Sequence, residues 1–255
     1  MAKPVTNRYV IASAAALFAL SGCGTSDEGS DGDNRAAPPA RDKGPLCVGE
    51  AGADGLHVLR GGGFRLPGGG GLQYAEAHAD GKTRGATVRD GAKYEAGQTQ
   101  RTVTPGQHIT ISGRDYAVGQ VCAYRVVLEP QDERARAAVA AAPDSLKPEG
   151  GPADDGLCFS TNRSVLAAAS KGFPPAGDIQ SLLDNGGVWN SPTGLSITVH
   201  VGTDAQTGGI SASCAGIKVA DYEDVRVGDT IELAGVLFEV SELKGDVVRM
   251  KRTSA

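Results

Sequence analysis

Three observations predict an all-β chain with a few short helices, organised as two tandem, homologous-looking small β-barrel or β-sandwich domains. A sixteen-residue block recurs without a gap, "VTPGQHITISGRDYAV" at 103–118 and "VRVGDTIELAGVLFEV" at 225–240. Its apolar residues alternate with period two, as in strands with one buried face. Glycine is abundant, 37 of 255 residues, and favours turns and short strands over long helices.

In chain order, residues 1–22 read as a signal peptide. "MAKPVTNR" is short and basic, "YVIASAAALFAL" is apolar, and "SGC" follows with small residues. The apolar run is too short to cross a hydrocarbon core of about 30 Å as a helix, and it has the proportions of a secretory h-region. A buried N-terminal helix is disfavoured because the run lacks an amphipathic period and a polar, glycine-rich stretch follows it.

Leu20-Ser21-Gly22-Cys23 resembles the lipobox of bacterial lipoproteins. The resemblance covers the signal segment alone. It implies a diacylglycerol on Cys23 and cleavage before it, with the lipid anchor holding the chain at the extracytoplasmic face of the cell membrane. Two acyl chains meet the physical requirement for stable anchoring, since each buried CH₂ contributes about 0.8 kcal/mol. In composition and layout the chain also resembles uncharacterised actinobacterial envelope lipoproteins. Residues 24–43 contain no Val, Ile, Leu, Phe or Tyr. They predict a disordered tether behind Cys23, with a reach of about 25 Å.

Setting Cys23 aside leaves Cys47, Cys122, Cys158 and Cys214, an even set in an exported chain. Four cysteines allow three pairings. The repeat favours Cys47–Cys122 and Cys158–Cys214, each bond inside one copy. No Cys-X-X-Cys is present, so the cysteines read as structural.

The repeat extends upstream. "GLQYAEAHA" at 71–79 and "GLSITVHVG" at 194–202 keep the same phase, and "GPLCVG" at 44–49 resembles "DGLCFS" at 155–160. The domains are therefore 44–129 and 155–255. Short helices are expected at 163–170 and 178–184. Residues 130–154 read as a linker carrying a short exposed helix, because Val139 and Leu146 are its only large aliphatic residues.

Every identity between the two copies of the block is glycine or apolar, so the copies share a fold while their surface chemistry has diverged. Catalytic residues remain unknown. His57, His78, His108 and His200 show no zinc signature, and His78 with Asp80 lacks a third ligand, so neither a metal nor a cofactor is expected. Serines lack a nucleophile elbow. The glycine run at 61–71 has no G-K-[ST] and reads as a flexible hairpin tip. Trp189, the one tryptophan, is a possible ligand contact, with core packing the simpler reading.

The net charge of −5 becomes more negative once Lys3 and Arg8 are removed with the signal. Without a basic patch to neutralise phosphates, nucleic acid is a poor partner. The functional expectation is a non-catalytic binding or adaptor module for an envelope protein or cell-wall polymer. Two alternatives stand beside it. One is an envelope-acting hydrolase with a site in the second domain or the cleft between domains, using Asp221, Glu223 and Asp224; the other is a structural spacer.

Overall fold

The computed structural model describes residues 43–53, 55–141, 173–191, 194–214 and 217–254. The signal segment, Cys23, most of the tether, Cys158 and the expected helix at 163–170 lie outside them.

The first repeat contains β1 (Cys47–Gly49), β2 (Leu56–Leu59), β3 (Gly63–Arg65), β4 (Gly71–Ala79), β5 (Arg84–Asp90), β6 (Gln100–Val103), β7 (His108–Ile111), β8 (Arg114–Cys122) and β9 (Arg125–Pro130). Helix α1 (Glu133–Ala140) follows. The second repeat contains β10 (Ile179–Leu183), β11 (Trp189–Asn190), β12 (Ser196–Val201), β13 (Gly208–Cys214), β14 (Ile217–Val225), β15 (Thr230–Leu233), β16 (Val236–Lys244) and β17 (Val247–Arg252).

These strands form four separate sheets, none closed into a barrel. The orders are β1-β8-β9-β2 with β7 also on β8, then β3-β4-β5-β6, β10-β17-β16-β15 and β11-β12-β13-β14. β2 to β9 thus recur strand for strand as β10 to β17. In the first repeat the two sheets face each other across one core, with Val58, Tyr116, Val118 and Leu128 from one and Leu72, Tyr74, Val88 and Val103 from the other. A second core gathers Ile197, Ile210, Tyr222, Phe238, Val240 and Met250 in the same way. The described residues therefore form two small β-sandwiches, and all of them belong to a single compact body.

The sixteen-residue block repeats in its hydrogen bonds as well as its letters. The Gly106 N–H donates to the Val118 carbonyl at 2.8 Å, and the Gly228 N–H to the Val240 carbonyl at 2.7 Å. The ladders shift register between Val118 and Gln120 and again between Val240 and Glu242. Ser112-Gly113 and Ala234-Gly235 turn the two hairpins with φ of 50° and 73° and of 50° and 80°. Positive φ at both central residues is the two-residue turn whose twist matches its strands, and glycine supplies the second position without a Cβ clash.

Cys47 lies opposite Cys122 on β1 and β8, and the two are disulfide-bonded. Cys214 is also disulfide-bonded, and stands at the end of β13. The counterpart of β13 is β5, not β8, so Cys122 and Cys214 occupy non-equivalent strands.

Two local expectations change. Residues 178–184 hold strand β10 rather than a helix. Pairing with β17 lets Leu182 face the core, and that tertiary partner overrides the weak local helix preference. Helix α1 is not simply exposed either, since Ala135 is buried in the first core and Val139 packs against it. Asp132 caps the helix by accepting from the Ala135 N–H, and it also accepts from the Asp115 N–H, both at 2.6 Å. Those bonds hold its carboxyl below its ordinary value and tie the helix to the β7–β8 hairpin.

The glycine run divides into two parts. Gly68, Gly69 and Gly70 turn β3 into β4 with φ of 79°, 108° and 81°. Gly61 and Gly62 instead lie against the backbone of β14, where a Cβ on Gly62 would collide with the Val219 carbonyl. Backbone cannot yield there as a side chain can. Gly62→Ala is expected to lower the unfolding free energy by about 3 kcal/mol, measured by urea denaturation.

Candidate functional site

The repeats meet where the β2–β3 turn reaches β14. The Asp221 N–H donates to the Arg60 carbonyl at 2.8 Å, and the Arg60 guanidinium lies over the Tyr222 ring, 5.5 Å from its centroid. At the centre of this contact is Glu232, on β15, with 0 % exposure. Its Oε1 is 2.6 Å from His57 Nδ1 on β2, and its Oε2 accepts from Arg125 Nη1 on β9 at 2.8 Å. Arg125 also donates twice to Gln120 Oε1, at 3.1 and 2.7 Å.

Strand geometry explains why a carboxylate is buried at this position. Ile231 and Leu233 point into their own core, which leaves Glu232 on the outer face of β15. That face is covered by the first repeat. The Tyr222 hydroxyl, also buried, donates to the Glu232 carbonyl at 2.9 Å and accepts from the Glu232 N–H at 3.3 Å. It lies 3.3 Å from the Tyr124 carbonyl. Burial, and then the Glu232 charge, push the Tyr222 hydroxyl far above its ordinary value, so it remains protonated. Burial alone would raise the Glu232 carboxyl. The charges and hydrogen bonds of His57 and Arg125 outweigh that, and it is held below its ordinary value of 4.5. Both oxygens are engaged, so the carboxylate serves as a structural tie rather than a base available to a substrate.

Two clefts open among the described residues. A smaller one, about 420 Å³, is lined from both repeats by Arg60, Arg84, Glu223, Asp224, Arg226 and Asp229. A larger one, about 1050 Å³, belongs to the first repeat alone. Its walls are the Gly68–Gly71 turn, the Asp90–Glu95 segment and the tip of the β7–β8 hairpin at Thr110–Ser112. Arg65 and Lys93 bring positive charge to it, Asp90 and Glu95 negative. Arg114 lays its guanidinium along Gly68, where a side chain would collide with it.

The sequence candidates fall out unevenly. Trp189 is half-buried and packs edge-on against Phe173, 5.8 Å between centroids, and Phe173 in turn against Phe238. It lines neither cleft. Of the three carboxylates, Glu223 and Asp224 line the cleft between repeats, with Asp224 at φ 56°. Asp221 instead accepts from Ser211 Oγ at 2.7 Å and pairs with Lys218 Nζ at 2.5 Å. His78 contacts Thr87 Oγ1 at 2.5 Å, while Asp80 caps its own turn through the N–H groups of Lys82 and Thr83. Among the described residues no group of three His, Cys, Asp or Glu is placed to hold a metal.

The trio His57, Arg125 and Glu232 was not among the sequence candidates. Its one trace in the sequence is an acidic residue between Ile231 and Leu233, at the place where the first copy has Thr110.

The fold and site define a duplicated β-sandwich body joined through a buried ion-paired carboxylate, with an open cleft on one copy. Comparison with protein-family models, with curated proteins and with solved structures finds no match.

Glu232→Ala leaves the Arg125 guanidinium without its buried partner and is expected to cost about 3–5 kcal/mol. The pH dependence has a definite sign. A carboxyl held below 4.5 in the folded state contributes stability above that value and loses it as pH falls through the folded value. Urea midpoints of the wild type and Glu232→Gln should therefore differ most near neutrality and converge below pH 4.5. A gap that widened in acid would refute the assignment.

Proposed function

We propose that the chain is a lipid-anchored, extracytoplasmic binding module. Cys23 carries the lipid, residues 24–43 form the tether, and the paired β-sandwiches present a docking face to an envelope protein or cell-wall polymer. The anchoring rests on Leu20-Ser21-Gly22-Cys23 at the end of an apolar run too short to span a bilayer. The Cys47–Cys122 disulfide suits the same oxidising compartment.

One observation carries the binding role. Thr110, on the outer face of β7 at the rim of the open cleft, is exposed, while the corresponding position of the second repeat, Glu232, is wholly covered by a packed chain. That outer face at this position is thus a docking face once inside this molecule. A cleft with a backbone-lined wall and charges of both signs suits an extended macromolecular surface better than a small apolar ligand.

The test uses the full-length chain in its own cells. Wild type is expected to incorporate labelled palmitate and to sediment with membranes, and Cys23→Ser to do neither. A wild-type chain that stays unlabelled would sink the anchoring. For binding, beads carrying the full-length chain should retain an envelope component, and Lys93→Glu should reduce that retention severalfold.

A further inference from the structure

Among the described residues the duplication leaves one half of an interface unused on each repeat. Sheet order makes β10 the counterpart of β2 and β17 the counterpart of β9. Tyr116 pairs with Pro130 as Phe238 pairs with Arg252, so Val247 corresponds to Arg125. Leu59 lies opposite Arg125 as Leu183 lies opposite Val247, so Ser181 corresponds to His57. Thr110 lies opposite Asp115 as Glu232 lies opposite Leu237.

The edge formed by β2 and its turn is occupied. Leu59 is 9 % exposed and belongs to the core of the second repeat. The corresponding edge of the second repeat stands exposed among the described residues. Leu183 is 55 % exposed, and Ile179 and Val188 are equally open. These three make up half of the six large hydrophobic residues that stand exposed among the described residues. The turn Asn185–Val188, counterpart of the Gly61–Gly62 turn, is exposed throughout.

The charges change together. Inside the molecule Glu232 meets His57 and Arg125. At the free ends Thr110 replaces the acid, while Ser181 and Val247 replace His57 and Arg125. The trio positions lose their charge together, while the neighbouring charges are of opposite sign on the two faces: Asp115 accepts from the Thr110 hydroxyl at 2.6 Å, and Arg249, paired with Glu242, lies opposite Ser181. We propose that a second copy of this chain seats its β10–β11 edge on the outer face of β7 at Thr110, head to tail, as the β2–β3 edge is seated on β14 and β15. This deepens the binding reading, rests on the face at Thr110 being a docking face, and names its occupant. The contact is heterologous, so it does not close on itself and extends from copy to copy.

The experiment uses the full chain in non-ionic detergent. A one-to-one mixture of Thr110→Cys and Ser181→Cys is expected to give a disulfide-linked dimer on mild oxidation, with little from either variant alone. Equal yields from the single variants, or none from the mixture, overturn the proposal. In sedimentation, Thr110→Glu should weaken association about tenfold or more. Mixing it with a chain carrying Ser181→His and Val247→Arg should restore association by recreating the internal trio. A wild-type chain that stays monomeric at every concentration also overturns the inference. That result would leave anchoring and capture of an envelope component standing, whereas loss of those two with self-association intact would remove the broader reading instead.

Discussion

The buried carboxylate of Glu232 is the constraint on which the joined body depends. Removing a carboxylate from water costs several kcal/mol, and only well-placed partners offset that. Glu232 finds them on two separate strands of the other repeat, with His57 on one and Arg125 on its neighbour. Such a trio adds little net stability over a well-packed apolar contact. What it does is penalise every other arrangement: a shift of one strand spacing between the repeats would strand a charge in the interior. The interface is selected by the cost of its alternatives.

The remaining contacts follow from that placement. Once Glu232 is fixed against β2 and β9, the β2–β3 turn reaches β14 closely enough to form a backbone hydrogen bond from Asp221 to Arg60. Only residues without a Cβ can stand at 61 and 62 under that approach. Tyr222 sits where both backbones are near, and its hydroxyl serves the Glu232 carbonyl and N–H. The Arg60 guanidinium, which borders the cleft between repeats, lies over its ring. Apolar packing, backbone contact and ion pairing all converge on a few residues of β14 and β15.

Much of this fold is legible in the sequence, because its signals are local. The alternation around Ile109 and Ile231, and the Ser112-Gly113 and Ala234-Gly235 turns, act over four to nine residues. They mark hairpins in both copies. The likeness of the copies also points to the Cys47–Cys122 bond. What the sequence conceals is non-local. Residues 178–184 become a strand because β17, far along the chain, offers a partner. Ala135 is buried because Asp132 bonds to the β7–β8 hairpin. The trio escapes notice for the same reason: Glu232 is outward-facing within its own sandwich, where an acid is ordinary, and only the arrival of the other repeat buries it. The even cysteine count likewise says nothing about strand equivalence, and Cys122 and Cys214 sit on strands that do not correspond.

The position of the disulfide acquires a meaning under the proposed anchoring. Under that proposal the pull would arrive just before β1, a strand of three residues at Cys47–Gly49. So short a strand at the edge of a sheet is the first element to fray, and a chain held to a membrane would pull there first. Cys47 ties it covalently to Cys122 on β8, and β8 pairs with β7 and β9 as well. Tension on the tether would therefore load the most extensively paired strand of the first repeat instead of peeling β1 away. Tyr74 donates its hydroxyl hydrogen bond to the Cys122 carbonyl at 2.7 Å, which carries the same attachment into the facing sheet. The second repeat meets no such entry point. Its bonded cysteine, Cys214, can stand on a different strand without exposing an edge to the tether.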